Sequence, residues 1–182
     1  INGIVGALIN FLTYVANDEA LRQMTFWRMG SFQGSDWVQV QWLIICGVGL
    51  LILFIKQASA LNALLLGESE ARHLGYDVKK VTRLLILSTA FAIALLVSHF
   101  GFIGFVGIII PHITRMLIGP EHKHLFVLSA LIGAAVVLAA DLLSRTLVQP
   151  SELPVGVLTA LLGAPFFISI LIGQRSRVSE FR

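Results

Sequence analysis

The sequence predicts an all-α fold: a polytopic transmembrane bundle of about six membrane-crossing helices. Three observations lead there. The 182 residues are 57% hydrophobic and only 13% charged, whereas a soluble domain carries about a quarter of its residues charged. The apolar residues stand in runs long enough to cross a bilayer, whose hydrocarbon core takes roughly 20 residues of helix. The charges gather in a few polar islands, the largest reading GESEARHLGYDVKKVTR from Gly67 to Arg83.

The elements follow in order. Residues 1–16 form a first apolar run, and residues 17–36 a polar connection with Trp27 and, just after it, Trp37 suited to a membrane interface. Residues 37–55 are the second span, followed by a hydrated segment at 66–83. From residue 84 to 116 the chain is apolar for over thirty residues, too long for one crossing. Glycines in SHFGFIGFVG allow a turn near Ser98–Gly101, so two spans are expected, at 84–99 and 102–118. Spans at 125–143 and 153–173 complete the count, with a polar tail after them. Gly and Ala recur within the spans and let helices approach closely. Pro111, Pro154 and Pro165 are expected to kink or start helices, with His112 a candidate donor to a carbonyl freed by Pro111.

Charge placement supports this count. Alternating spans put Lys56, Arg72, Lys79, Lys80, Arg83, Arg115, Lys123, Arg175, Arg177 and Arg182 on one side, and Arg22, Arg28 and Arg145 on the other. Ten basic residues against three mark the richer side as cytoplasmic. The segment 66–83, the 119–124 loop and the C-terminus are therefore expected inside.

Other patterns exclude functions. No basic run with interleaved aromatics suggests nucleic acid. Cys46 is the single cysteine, so no internal disulfide forms. No GxxxxGK[ST] loop occurs, nor any HExxH or nucleophile–base arrangement, so the chain reads as no enzyme. The histidines 73, 99, 112, 122 and 124 are scattered, and no metal site is expected from them. The chain opens inside an apolar run with no polar lead-in, which reads as part of a longer membrane protein.

Within the island, Gly67–Gly75 looks like a short helix with acidic residues at its start and Gly75 as its stop. Leu66, Ala71 and Leu74 are candidates for a small apolar face. Two readings stand open: a helix that inserts into a groove of a cytoplasmic partner, or an ordinary solvated loop helix. Asp141 stands four residues before Arg145, so the two are expected to pair on one helix face.

GESEARHLG, GFIGFVGIIIPHITRMLIGPEHKHL, ADLLSRTLVQPSELPVG and LTALLGAPFF, in this order and together with FWRMGSFQGSDW, closely resemble the permease subunits of bacterial ABC importers for iron–siderophore complexes, haem and vitamin B12. The resemblance covers the C-terminal half of a permease of about ten helices. It implies cytoplasmic ATPase subunits, which hold ATP and magnesium while this chain holds no cofactor. It also implies a second permease copy as a homodimer partner, an external substrate-binding protein and a place in the bacterial inner membrane. Gly67, Glu68, Ala71, Arg72, Leu74 and Gly75 match the family's ATPase-coupling segment. Arg145 matches an arginine at the external mouth that docks the binding protein. The first span and the glycine-rich sixth are implied pore-lining candidates. The substrate stays open between an iron chelate and vitamin B12, and a passive channel or a membrane scaffold are the other classes.

Overall fold

A computed structural model describes residues 2–147 and 153–179. Among these residues the chain forms helices α1 (Asn2–Val15), α2 (Asp18–Met29), α3 (Trp37–Leu64), α4 (Glu68–His73), α5 (Val78–Phe100), α6 (Val106–Ile118), α7 (His122–Thr146) and α8 (Val155–Ser179). The all-α expectation holds. Residues 148–152, Arg182 and the end of the expected polar tail lie outside the described residues.

Helices α3, α5 and α7 have the length and hydropathy to cross a membrane. The apolar stretches 3–15, 106–118 and 155–169 are shorter. Helix α6, with 13 residues, reaches only about 20 Å at 1.5 Å per residue.

Several boundaries differ from expectation for local reasons. Residues 17–36 are not a plain connection, because Asn17 caps α2 by accepting a hydrogen bond from the Ala20 N–H at 2.9 Å. Helix α3 continues to Leu64, past the expected end at 55, because the small residues Ala58, Ala60 and Ala63 are buried along it. Helix α5 starts at Val78 behind an Asp77 cap, so Lys79, Lys80 and Arg83 are helical rather than in a loop. Pro111 and Pro165 lie inside α6 and α8. The His112 side chain makes no hydrogen bond among the described residues, so the expected donation to a freed carbonyl is not seen; the Thr114 hydroxyl donates to the Ile110 carbonyl at 2.8 Å, one turn back on its own helix.

Helix α7 packs against α3, α6 and α8, and α3 packs against α5. The backbone joins one end of the bundle. There Ser31 N–H donates to the Phe100 carbonyl at 2.9 Å, Phe102 N–H to the Trp27 carbonyl at 3.3 Å and Gly156 N–H to the Gly30 carbonyl at 3.4 Å. Leu153 N–H reaches the Ser144 carbonyl at 3.1 Å. A Cβ on Gly156 would fall 2.0 Å from the Met29 carbonyl oxygen, so only glycine lets these backbones meet. The ends of α2, α5 and α7 and the starts of α6 and α8 thus share one level. The C-terminal end of α3, α4, and the starts of α5 and α7 gather at the other. A break at 101–105 divides the long apolar run into α5 and α6.

Candidate functional site

At that other end α3 stops at Leu64, and the chain bends through Leu65–Gly67 into α4. Six residues are too few for a self-supporting helix. Packing and polar contacts hold α4 in place. Ala71 is completely buried in a cluster with Ala63 at the end of α3 and Val78 at the start of α5, with Leu64 and Tyr76 against it. Glu68 and Arg72 pair across one turn at 3.1 Å. Gly75 adopts a positive φ of 88°. The chain there reverses so that Gly75 N–H meets the Arg72 carbonyl at 2.9 Å and Tyr76 N–H the Ala71 carbonyl at 3.1 Å. Only glycine takes that conformation without strain.

The expected apolar face therefore splits in two. Ala71 is turned inward and has no surface to offer a partner. Leu66 and Leu74 are turned outward, 68% and 62% exposed. Glu68, Arg72 and Gly75 are also exposed. Two bare leucines flanking an ion pair form a small amphipathic knob on the bundle's end. Next to it Asp77 caps α5 by accepting from the Lys80 N–H at 3.1 Å and pairs with the Lys80 ammonium at 3.0 Å. The Lys80 side chain, then its N–H, hold the Asp77 carboxyl below its ordinary range.

A second polar assembly sits beside the knob, and sequence reading missed it. Asn62, in the last turn of α3, accepts the His122 N–H at 3.0 Å on Oδ1 and donates from Nδ2 to Glu121 Oε1 at 3.3 Å. The His122 Nδ1 lies 2.7 Å from the same Asn62 oxygen, so Nδ1 carries the proton. Glu121 caps α7, accepting from the N–H groups of Lys123 and His124 at 3.1 and 3.0 Å. These bonds, first that from His124 and then those from Lys123 and Asn62, lower the Glu121 carboxyl to about 2. Gly-Pro-Glu before an apolar helix is a legible start signal for Glu121. Nothing near Asn62 points to its partners, which lie 59 and 60 residues away.

At the opposite end of α7, Arg145 grips Asp141 with Nε at 2.9 Å and Nη2 at 3.3 Å. The expected pair is thus present. Asp141 is the more enclosed partner and Arg145 stays half-exposed. Nearby, Met29, Phe102, Gly156, Ala160 and Ala164 line an open apolar groove of about 530 Å³ along α8. Helix α1, the other pore candidate, is exposed along almost its whole length.

Comparison with known proteins agrees with this architecture. The family model described as the FecCD transport family matches residues 1–173. The hemin transport system permease protein HmuU of Yersinia pestis is 42% identical over 179 residues, covering 98% of this chain and 54% of that protein. The vitamin B12 import system permease protein BtuC of Vibrio cholerae is 41% identical over 167 residues, covering 92% of this chain and 50% of that protein. The chain thus spans about half the length of the curated relatives it matches. A solved structure of a metal-chelate type ABC transporter in an inward-facing conformation superposes with a TM-score of 0.84 at 35% identity, over 94% of this chain and 56% of that one.

Proposed function

The chain belongs to the FecCD transport family, and on that premise we propose that it contributes to the membrane path of an ABC importer for an iron chelate, a siderophore complex or haem. The observation that carries the reading is the α4 knob. Leu66 and Leu74, exposed at either end of α4 beside the charges of a polar segment, offer a small apolar surface that suits cover by another protein. In this reading a cytoplasmic ATPase receives the two leucines, with Glu68 and Arg72 at the rim. Ala71 and Gly75 serve from inside, one by anchoring α4 to α3 and α5, the other by setting its exit angle. ATP and its magnesium belong to that partner. This chain does no bond chemistry and converts a push on α4 into a change of access.

The knob end then faces the cytoplasm of a bacterial inner membrane, and the C-terminus of the chain with it. The basic residues Arg72, Lys79, Lys80, Arg83, Arg115 and Lys123 support that side. Arg145 lies at the external end, where its half-exposed guanidinium receives a carboxylate of the binding protein while Asp141 keeps it oriented. A second permease copy completes the path. The relatives named for vitamin B12 import favour cobalamin as the second reading of the substrate.

The test is reconstitution of the full-length permease with its ATPase and binding protein in liposomes. ATP-dependent uptake of haem or a ferric siderophore, and its loss when Leu74 becomes Ser, is the expected result. Uptake of cyanocobalamin alone selects the second reading. Uptake without ATP, unchanged by Leu74→Ser, refutes the coupled importer in favour of a passive channel.

A further inference from the structure

We propose that Asn62 is a positioning residue that clamps α3 to α7, so that displacement of α4 is passed into α7 instead of being lost as a bend at the α3–α4 junction. This rests on the coupling reading above.

The amide has two capacities and both are engaged across the helix pair. Its oxygen accepts from the His122 backbone at 3.0 Å and faces the His122 ring at 2.7 Å; its nitrogen donates to Glu121 at 3.3 Å. These contacts cross 59 or 60 residues of sequence. The side-chain bonds of Glu68, Asp77, Thr114 and Asp141, in contrast, stay within one turn of their own helix. Asn is a weak helix former, and a leucine would suit an apolar helix seam better. What Asn62 adds is directional attachment.

The clamp is well placed for transmission. Asn62 stands five residues before Gly67, the N-cap of α4. Its partners are the capping residue and first residue of α7, so force on Asn62 acts on the tip of that helix. His122 is buried there and its ring lies 5.9 Å from that of Phe126. Phe126 in turn meets Phe54 of α3 at 5.6 Å, which continues the seam toward the middle of the bundle. Helix α7 then runs unbroken for 25 residues to the Asp141–Arg145 pair. A straight helix of that length spans about 37 Å, more than the roughly 30 Å hydrocarbon core of a bilayer. One rod therefore joins the end that receives the push to the end that meets the exterior.

The test uses the full-length permease assembled with its ATPase and binding protein in liposomes. The probe is hemin, a ferric siderophore or cyanocobalamin, whichever the wild-type complex carries. Uptake and phosphate release are measured together, with melting temperature and ATPase retention on a sizing column recorded for each variant. Asn62→Leu is expected to retain the ATPase and to hydrolyse ATP, but to lower transport per ATP by about fivefold or more, the lower edge of ordinary inter-site coupling. The exchange Asn62→Asp with Glu121→Gln reverses donor and acceptor while leaving both His122 contacts possible, and is expected to restore most of the ratio. Should Asn62→Leu fail to assemble, Asn62→Ser, too short to reach Glu121, is read by the same ratio. A wild-type ratio in the Leu or Ser variant overturns the clamp, as does failure of the exchange to restore it in a complex that melts like wild type. A Leu74→Ser variant that keeps both ATPase retention and uptake overturns the coupling reading itself, whatever Asn62 does.

Discussion

Ala71, inside α4, and Leu74, the residue that ends it, lie three positions apart and should fail in opposite ways when changed. Ala71 has no exposed surface and touches Ala63 and Val78. Ala71→Val forces two further methyl groups into a closed contact, which costs about 1–3 kcal/mol of stability. Leu74 is 62% exposed. Its removal leaves the folded chain within about 0.5 kcal/mol of wild type. If a partner covers that exposed fraction of a leucine worth about 1.5–3 kcal/mol on full burial, Leu74→Ser forfeits roughly 1–2 kcal/mol of binding, or about five- to thirtyfold in ATPase affinity. The assay pairs thiol-reactive thermal melting of the detergent-solubilised full-length permease with titration of the ATPase by biolayer interferometry. Ala71→Val should lower the melting temperature. In the fraction that stays folded, ATPase affinity should change less than for Leu74→Ser. A Leu74→Ser protein that melts early and binds normally, or an Ala71→Val protein that melts normally and binds weakly, would refute the division of α4 into an anchoring side and a docking side.

Three further outcomes are expected. Arg145→Glu should weaken affinity for the binding protein by about tenfold at 0.01 M salt, and by much less at 1 M, where the screening length shrinks to about 3 Å; equal affinity of variant and wild type across the salt series would remove the docking role. Gly156→Ala places its methyl 2.0 Å from the Met29 carbonyl oxygen and 2.6 Å from that of Phe102. Because backbone must move, it should lower stability by about 1–3 kcal/mol in a melt, whereas Gly107→Ala, with open space around it, should not. The Glu121 carboxyl, ordinarily at 4.5, is held at about 2. Its cap therefore stabilises the fold fully above pH 4.5 and loses that contribution as pH falls toward 2. The melting temperatures of wild type and Glu121→Gln should differ at pH 6 and converge across that window; a constant gap would mean that the carboxylate charge contributes nothing.

Hydropathy alone exposed the helical class and the polar island, because lipid admits little else between charged segments. It failed where small or polar residues continue a helix. Ala58, Ala60 and Ala63 extend α3 because α4 and the rest of the bundle cover them, a tertiary effect that no apolar run announces. Helix α2 did carry a local signal, Asn17 followed by Asp18 and Glu19, but its low hydropathy disguised it as a connection. In the knob, the acidic start and Gly75 stop were readable as local chemistry. Which of Ala71 and Leu74 faces out was not, because six residues turn too little to establish a periodicity and the bend at Gly67 sets the rotation. Asp141 and Arg145 were readable because their spacing is one turn. Asn62, Glu121 and His122 meet only after α3 and α7 have packed, so no window of sequence contains them.

The two ends of the bundle are joined by different means, and the difference bears on which end moves. At the Gly156 end, main chain bonds directly to main chain: Ser31 to Phe100, Phe102 to Trp27, Gly156 to Gly30 and Leu153 to Ser144. Such contacts have no side-chain torsions to relax, and the close approach at Gly156 leaves no slack. At the α4 end, the attachments are side chains: the Ala63–Ala71–Val78 cluster and the amide of Asn62. Side chains yield by rotamer change and small slides, which cost far less than breaking backbone bonds. A push from the knob side should therefore tilt α3 and α7 about the glycine-closed end as a pivot. That geometry would give small displacements at Arg145 and large ones at α4, which is what the proposed importer needs if a binding protein docked at Arg145 is to stay seated. Were the pivot at the α4 end, a nucleotide-driven movement would unseat whatever Arg145 holds. Distances from spin labels near Thr146 and near Leu74 to a fixed site, measured with and without nucleotide, separate the two: the change at Leu74 should be the larger.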